Sequence, residues 1–141
     1  MPKNRVILVV AGVLAISALA APQLKQILKL GGTVALVNTF GKDMNNGLNK
    51  LMNHEDTKNL VTKVVPILTV GVNRSSSVGA AQVMGPPDAI KKVVGVASPE
   101  AEFLGKEVRL RGLIPVSSKN VVEDIKKVDG VAVSGIVELK L

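Results

Sequence analysis

The chain has 141 residues, enough for one domain of ordinary size and leaving little for a second. Its 18 Lys and Arg against 11 Asp and Glu give a net charge of +7, and a hydrophobic content of 47% excludes wholesale disorder. Zero Cys excludes disulfides, thiolate nucleophiles and cysteine metal sites, and the lone His54 excludes a His-based metal cluster or a multi-His catalytic centre.

Residues 1–21 open the chain with a positive head, Lys3 and Arg5, followed by sixteen uncharged residues from Val6 to Ala21. Ala18-Leu19-Ala20 then supplies a small-x-small site, the pattern of an exported leader, with Ala20 the better boundary because cutting after Ala21 would leave Pro22 first. As a helix the apolar run would measure roughly 24 Å, short of the ~30 Å hydrocarbon core, so its length favours a signal peptide over a spanning anchor. Residues 1–21 are therefore expected to be a signal peptide or membrane anchor, and the protein to be exported or membrane-anchored, on the extracytoplasmic side.

Residues 22–60 read as an amphipathic helical segment and polar linker. Pro22 can begin a helix, and Leu24, Ile27, Leu28, Val34, Leu36, Val37, Met44, Leu48, Leu51 and Met52 follow with few charges. Gly31-Gly32, Gly41 and Gly47 each cost a helix ~1 kcal/mol relative to Ala, so packing against lipid or the domain must compensate. Gly31 and Ala35 make one small-xxx-small step. His54-Glu55-Asp56 has the composition of a ligand cluster, yet consecutive positions cannot converge on one ion, so a solvated loop is expected.

Residues 61–141 contain an internal repeat. Ile90-Lys91-Lys92-Val93-Val94-Gly95-Val96-Ala97 recurs 35 residues later as Ile125-Lys126-Lys127-Val128-Asp129-Gly130-Val131-Ala132, with seven of eight residues matching. Each copy follows a strand-like run and a turn. Gly85-Pro86-Pro87-Asp88 suits a helix start, Ser117 or Ser118 suits an N-cap, and Gly95 and Gly130 suit C-terminal caps. Val108, Leu110, Gly112, Ile114 and Val116 alternate with Arg109, Arg111 and Leu113, and Val131–Leu141 alternates to the last residue. Ser98–Glu107 becomes the hairpin or short helical link between the halves, and Val61–Val72 is an additional strand. The resulting expectation is an α+β chain: an N-terminal hydrophobic or amphipathic helix, then a small ferredoxin-like βαββαβ domain, an antiparallel sheet with two helices on one face. The alternative is a β-rich module in which the repeat units are single turns.

Lys63-Val64-Val65-Pro66-Ile67, Gln82-Val83-Met84-Gly85-Pro86, Ile90 with Val93, and Leu113-Ile114-Pro115-Val116 resemble the spacing in YbbR-like domains. The resemblance spans residues 61–141. It implies a small β-rich extracytoplasmic module of the kind often carried behind an N-terminal membrane segment, in some proteins regulating a membrane-bound nucleotide cyclase.

Candidate sites are few. Arg74-Ser75-Ser76-Ser77-Val78-Gly79 has the composition of an anion loop but leads into a strand, so a hairpin turn is expected. Arg109 and Arg111, two apart on one strand face, are the candidate contact surface. The terminal strand lacks a following turn or cap, which makes Ile136, Val137, Glu138, Leu139, Lys140 and Leu141 a candidate edge-strand interaction, covered either by Val61–Val72 or by a neighbour. No acid, base, nucleophile, metal or cofactor constellation is legible, so the expectation is a protein that is not an enzyme and holds no cofactor. Seven basic and three acidic residues precede residue 61, whereas eleven and eight follow it, and that second region has Phe103 as its sole aromatic. This distribution favours a membrane surface over nucleic acid. The partners expected are a membrane, reached through the N-terminal segment, and another envelope protein or a copy of the chain. A self-assembling subunit, a helical stalk carrying a small domain, and a lipid-binding protein are the alternatives.

Overall fold

The computed structural model describes residues 32–70, 79–121 and 124–138. The segment expected to be a leader, the first part of the 22–60 segment through Gly31, the Arg74–Val78 run, and Leu139, Lys140 and Leu141 lie outside the described residues. Within them the chain is α+β. A helix α1 (residues 32–51) precedes β1 (Val61–Val70), β2 (Gly79–Gly85), α2 (Pro87–Lys92), β3 (Gly95–Phe103), β4 (Val108–Arg111), β5 (Ile114–Val116) and β6 (Ala132–Glu138). The strands form one curled, mixed, six-stranded sheet of order β4-β3-β1-β2-β6, with β5 on β3.

β1 serves two partners in succession. Val61 to Pro66 pairs antiparallel with β2, and Ile67 to Val70 pairs parallel with β3. The short helix between β2 and β3 makes the parallel step possible, because parallel strands need a crossover. It starts as its residues dictate: Pro86 at the N-cap, Pro87 in the first turn, Asp88 at the positive end, Lys91 and Lys92 at the negative end. Val65, Ala81, Val83, Ile90, Val93, Val96 and Val128 form the larger core, and Ala97, Val116 and Val121 a smaller one.

The ferredoxin-like expectation is corrected by these pairings. The sheet is mixed rather than antiparallel, and over its described residues the second repeat copy forms no helix. Ser117 N–H donates to Lys126 O (2.9 Å), Val128 N–H donates to Pro115 O (2.8 Å), and Lys127 bridges Val116. The copy is thus drawn along the free edge of β5, and those backbone bonds take the place of helical ones. Both copies still deliver their valine, Val93 or Val128, to the same core. The single strand expected from Val108 to Val116 is broken at Gly112 and Leu113 into β4 and β5. Gly130 sits at a positive φ of 80°, as a turn glycine should, whereas Gly95 caps nothing. Gly95 lies in β3, where an added Cβ would fall 2.6 Å from Leu68 Cδ1.

α1 lies on the sheet. Leu36 is fully buried, and at Gly135 of β6 a Cβ would meet Leu48 at 3.2 Å.

Candidate functional site

Two features stand out: a polar chain under α1 and a two-faced ribbon at the far end of the sheet. Gln82 is fully buried on β2, and its position follows from a β-bulge in β6, where Gln82 pairs with Gly135 and Val83 with Val133, leaving Ser134 as the extra residue. Ser134 Oγ donates to Gln82 Oε1 at 2.7 Å. Gln82 Nε2 donates to Asn45 Oδ1 and Asn49 Oδ1, both at 2.8 Å. Asn45 and Asn49 are one helical turn apart, so both amides reach the sheet from one face of α1. Their Nδ2 groups donate to Thr62 Oγ1 at 3.0 and 2.9 Å. Thr62 Oγ1 in turn donates to Asp56 Oδ1 at 2.8 Å.

Every donor therefore points the same way, from Ser134 through Gln82 and the asparagines to the carboxylate of Asp56. Thr62 uses both acceptor positions and its one donor, so its hydroxyl is fully committed. His54 Nε2 lies 3.2 Å from the same Asp56 oxygen. The expected solvated loop at His54-Glu55-Asp56 is thus partly a latch that fixes α1 to β1. Chemically the arrangement holds: its amides and hydroxyls are bonded to one another, and it orients the helix on the sheet. Among the described residues no group of three or more His, Cys, Asp or Glu could hold a metal ion. Among the described residues one buried side-chain group is left out of any such bonding: Ser98 Oγ, on β3, has no hydrogen-bond partner.

The ribbon is built from the outer half of β3 and from β4. Beyond Pro99, which pairs with Val70 of β1, the described partner of β3 is β4. The antiparallel register sets Phe103 opposite Val108, Glu102 opposite Arg109, Ala101 opposite Leu110, and Glu100 opposite Arg111. Alternation sends the first and third pairs to one side and the second and fourth to the other. One face is apolar and the other charged. Ten successive residues, Ala101 to Leu110, are exposed, including Phe103 (54%), Leu104 (64%), Val108 (38%) and Leu110 (53%).

At the tip, Leu104, Gly105 and Lys106 take successive positive φ values of 53°, 62° and 79°. A leucine there carries a steric cost of ~1–2 kcal/mol that Asn or Gly would largely avoid. The backbone is thus strained at a residue whose side chain makes little use of the fold.

Arg109 and Arg111 both fall on the charged face, as their spacing requires. They are not equivalent. Arg111 grips Glu100 through Nη2 at 2.6 Å and Nε at 2.9 Å, so its charge is answered within the ribbon. The register of the hairpin fixes this pair, which spacing along the chain does not announce. At the other end, β6 is the last strand of the described sheet, with Ile136 half exposed. Val61–Val72 does not cover it: β1 stands one strand further in, separated from β6 by β2. The ribbon's apolar face and the polar chain are the features that the sequence reading missed.

Among the described residues no helix is long and apolar enough to cross a membrane. Protein-family models, curated proteins and solved structures gave no match to this chain.

Proposed function

We propose that the chain is an exported or membrane-anchored envelope protein that acts as an interaction module and not as an enzyme. The observation that carries this reading is the ribbon, which presents Phe103, Leu104, Val108 and Leu110 to solvent on one side of its two strands. Clustered exposed apolar residues rimmed by charge mark contact surfaces in soluble folds. The uncharged run Val6–Ala21 behind Lys3 and Arg5 supports the envelope location. The buried Gln82 and Thr62, with the half-buried Ser134, Asn45 and Asn49 that cluster on them, are spent on holding α1. That use supports a binding role over a catalytic one.

A self-assembling subunit is the second reading, favoured by one observation: β4 and β6 end the described sheet on opposite sides, so each offers a strand edge. The test of the first reading is fractionation of producing cells followed by intact-mass measurement. The expected result is recovery in the envelope or outside the cell, at the full mass or at the mass lacking residues 1–20. Full-length protein confined to the cytosol would overturn it.

A further inference from the structure

We propose that the β3–β4 ribbon is a wedge that enters a lipid bilayer, with Phe103 and Leu104 leading and Val108 and Leu110 following. The proposal rests on the reading of the chain as membrane-attached and names the part of the folded domain that meets the lipid.

Three observations favour a bilayer over a second copy. First, the four side chains together expose roughly 300–400 Å², so two copies meeting through them would bury well under the ~1,200 Å² that a stable specific interface needs. A bilayer needs no complementary partner surface. Second, the charges on the ribbon's other face are matched by opposite sign across the two strands: Glu100 is bonded to Arg111, and Glu102 stands opposite Arg109. The same two arginines on the edge strand β4 oppose its pairing with another β4, since like charges would face each other. Third, the tip strains a leucine into a left-handed conformation while leaving it 64% exposed, with Lys106 two residues on. Strain kept at an exposed apolar tip points to a use outside the fold, and a lysine beside it can snorkel to lipid head groups.

The chain has no Trp and no Tyr, so a single introduced Trp reports alone. The experiment compares full-length Phe103→Trp with Leu51→Trp, an exposed site at the end of α1 (55%), on vesicles of phosphatidylcholine and phosphatidylglycerol with and without brominated acyl chains. The expected result is co-sedimentation of both variants, with emission at 103 shifted to shorter wavelength and mostly quenched by bromine, and emission at 51 unchanged. Adding Leu104→Asn to the first variant should abolish the shift and quenching while its melting temperature stays level or rises, because Asn accepts the left-handed backbone.

Co-sedimentation with emission at 103 unshifted and unquenched would overturn the wedge and leave membrane attachment standing. Equal quenching at 51 and 103 would also overturn it. Failure to co-sediment would overturn the wedge and membrane attachment together, and leave export standing. A shift at 103 that depends on protein concentration without vesicles would assign the ribbon to a second copy instead.

Discussion

Gln82→Leu tests the polar chain at its centre. The substitution keeps the volume of a fully buried side chain and removes two donated bonds and one accepted bond. Asn45 Oδ1 and Asn49 Oδ1 lose their donor, while Ser134 keeps a fallback, since its Oγ also lies 3.3 Å from the Gln82 main-chain oxygen. A stranded buried polar group costs ~1–3 kcal/mol. Asn45 and Asn49 are half-buried, so water can reach them and the lower end of that range applies. Two such groups, offset by the leucine's own apolar gain, give a net loss of ~1–2 kcal/mol. Against a total stability of ~5–15 kcal/mol this is a measurable fraction. At ~4–8 °C per kcal/mol for a domain of this size, the melting temperature should fall by roughly 5–15 °C. Far-UV circular dichroism is the assay. Combining it with Asn49→Ala should show a coupling of ~0.5–3 kcal/mol, because the two residues share a bond. An unchanged or raised melting temperature for Gln82→Leu would refute the account of how α1 is held.

Val93→Asp and Val128→Asp should each unfold the domain, since both valines enter one core and an unpaired buried carboxylate costs several kcal/mol; native dichroism in either variant would separate the repeat from the core. Gly95→Ala should cost ~1–3 kcal/mol in chemical denaturation, because the added methyl lands on Leu68, and an unaltered midpoint would refute that contact. Ser98→Ala should be neutral or raise the melting temperature by a few degrees, as it deletes a buried hydroxyl without a partner, and a clear loss would reveal a bond to Ser98. Glu100→Ala should lower stability by ~1–2 kcal/mol, since its side chain is only 11% exposed and Arg111 holds it through two nitrogens, and an unaltered denaturation midpoint would refute that contribution.

What the sequence disclosed depended on whether a segment's partners were local. The start of α2 was legible because Pro86, Pro87 and Asp88 act within one turn. Alternation disclosed β6 and the strand character of Val108 to Arg111, since half-buried and edge strands carry their pattern in adjacent residues. The second repeat copy misled for the opposite reason. Val121, Ile125 and Val128 have helical spacing, yet Val121 serves the smaller core and Val128 the larger, and the free edge of β5 offered backbone bonds that no local pattern announces. Gln82 was illegible as a buried residue because a glutamine in a strand reads as facing water. Only the arrival of Asn45 and Asn49, some 37 and 33 residues away in sequence, turns it inward. The ribbon's two faces could have been found from Phe103, Val108 and Leu110 alternating with Glu102, Arg109 and Arg111, had the turn at Leu104 been placed.

The central claim is that the ribbon is a contact surface occupied outside the cytoplasm, and the absence of Cys allows a direct measurement. Leu110→Cys and Leu51→Cys, both at half-exposed positions, would be labelled with a membrane-impermeant maleimide in intact producing cells and again after purification. The account predicts that position 51 reacts in both settings, while position 110 reacts in the purified protein and is protected in the cell. Equal labelling of the two positions in intact cells, or no labelling of either until the cells are broken, would contradict it.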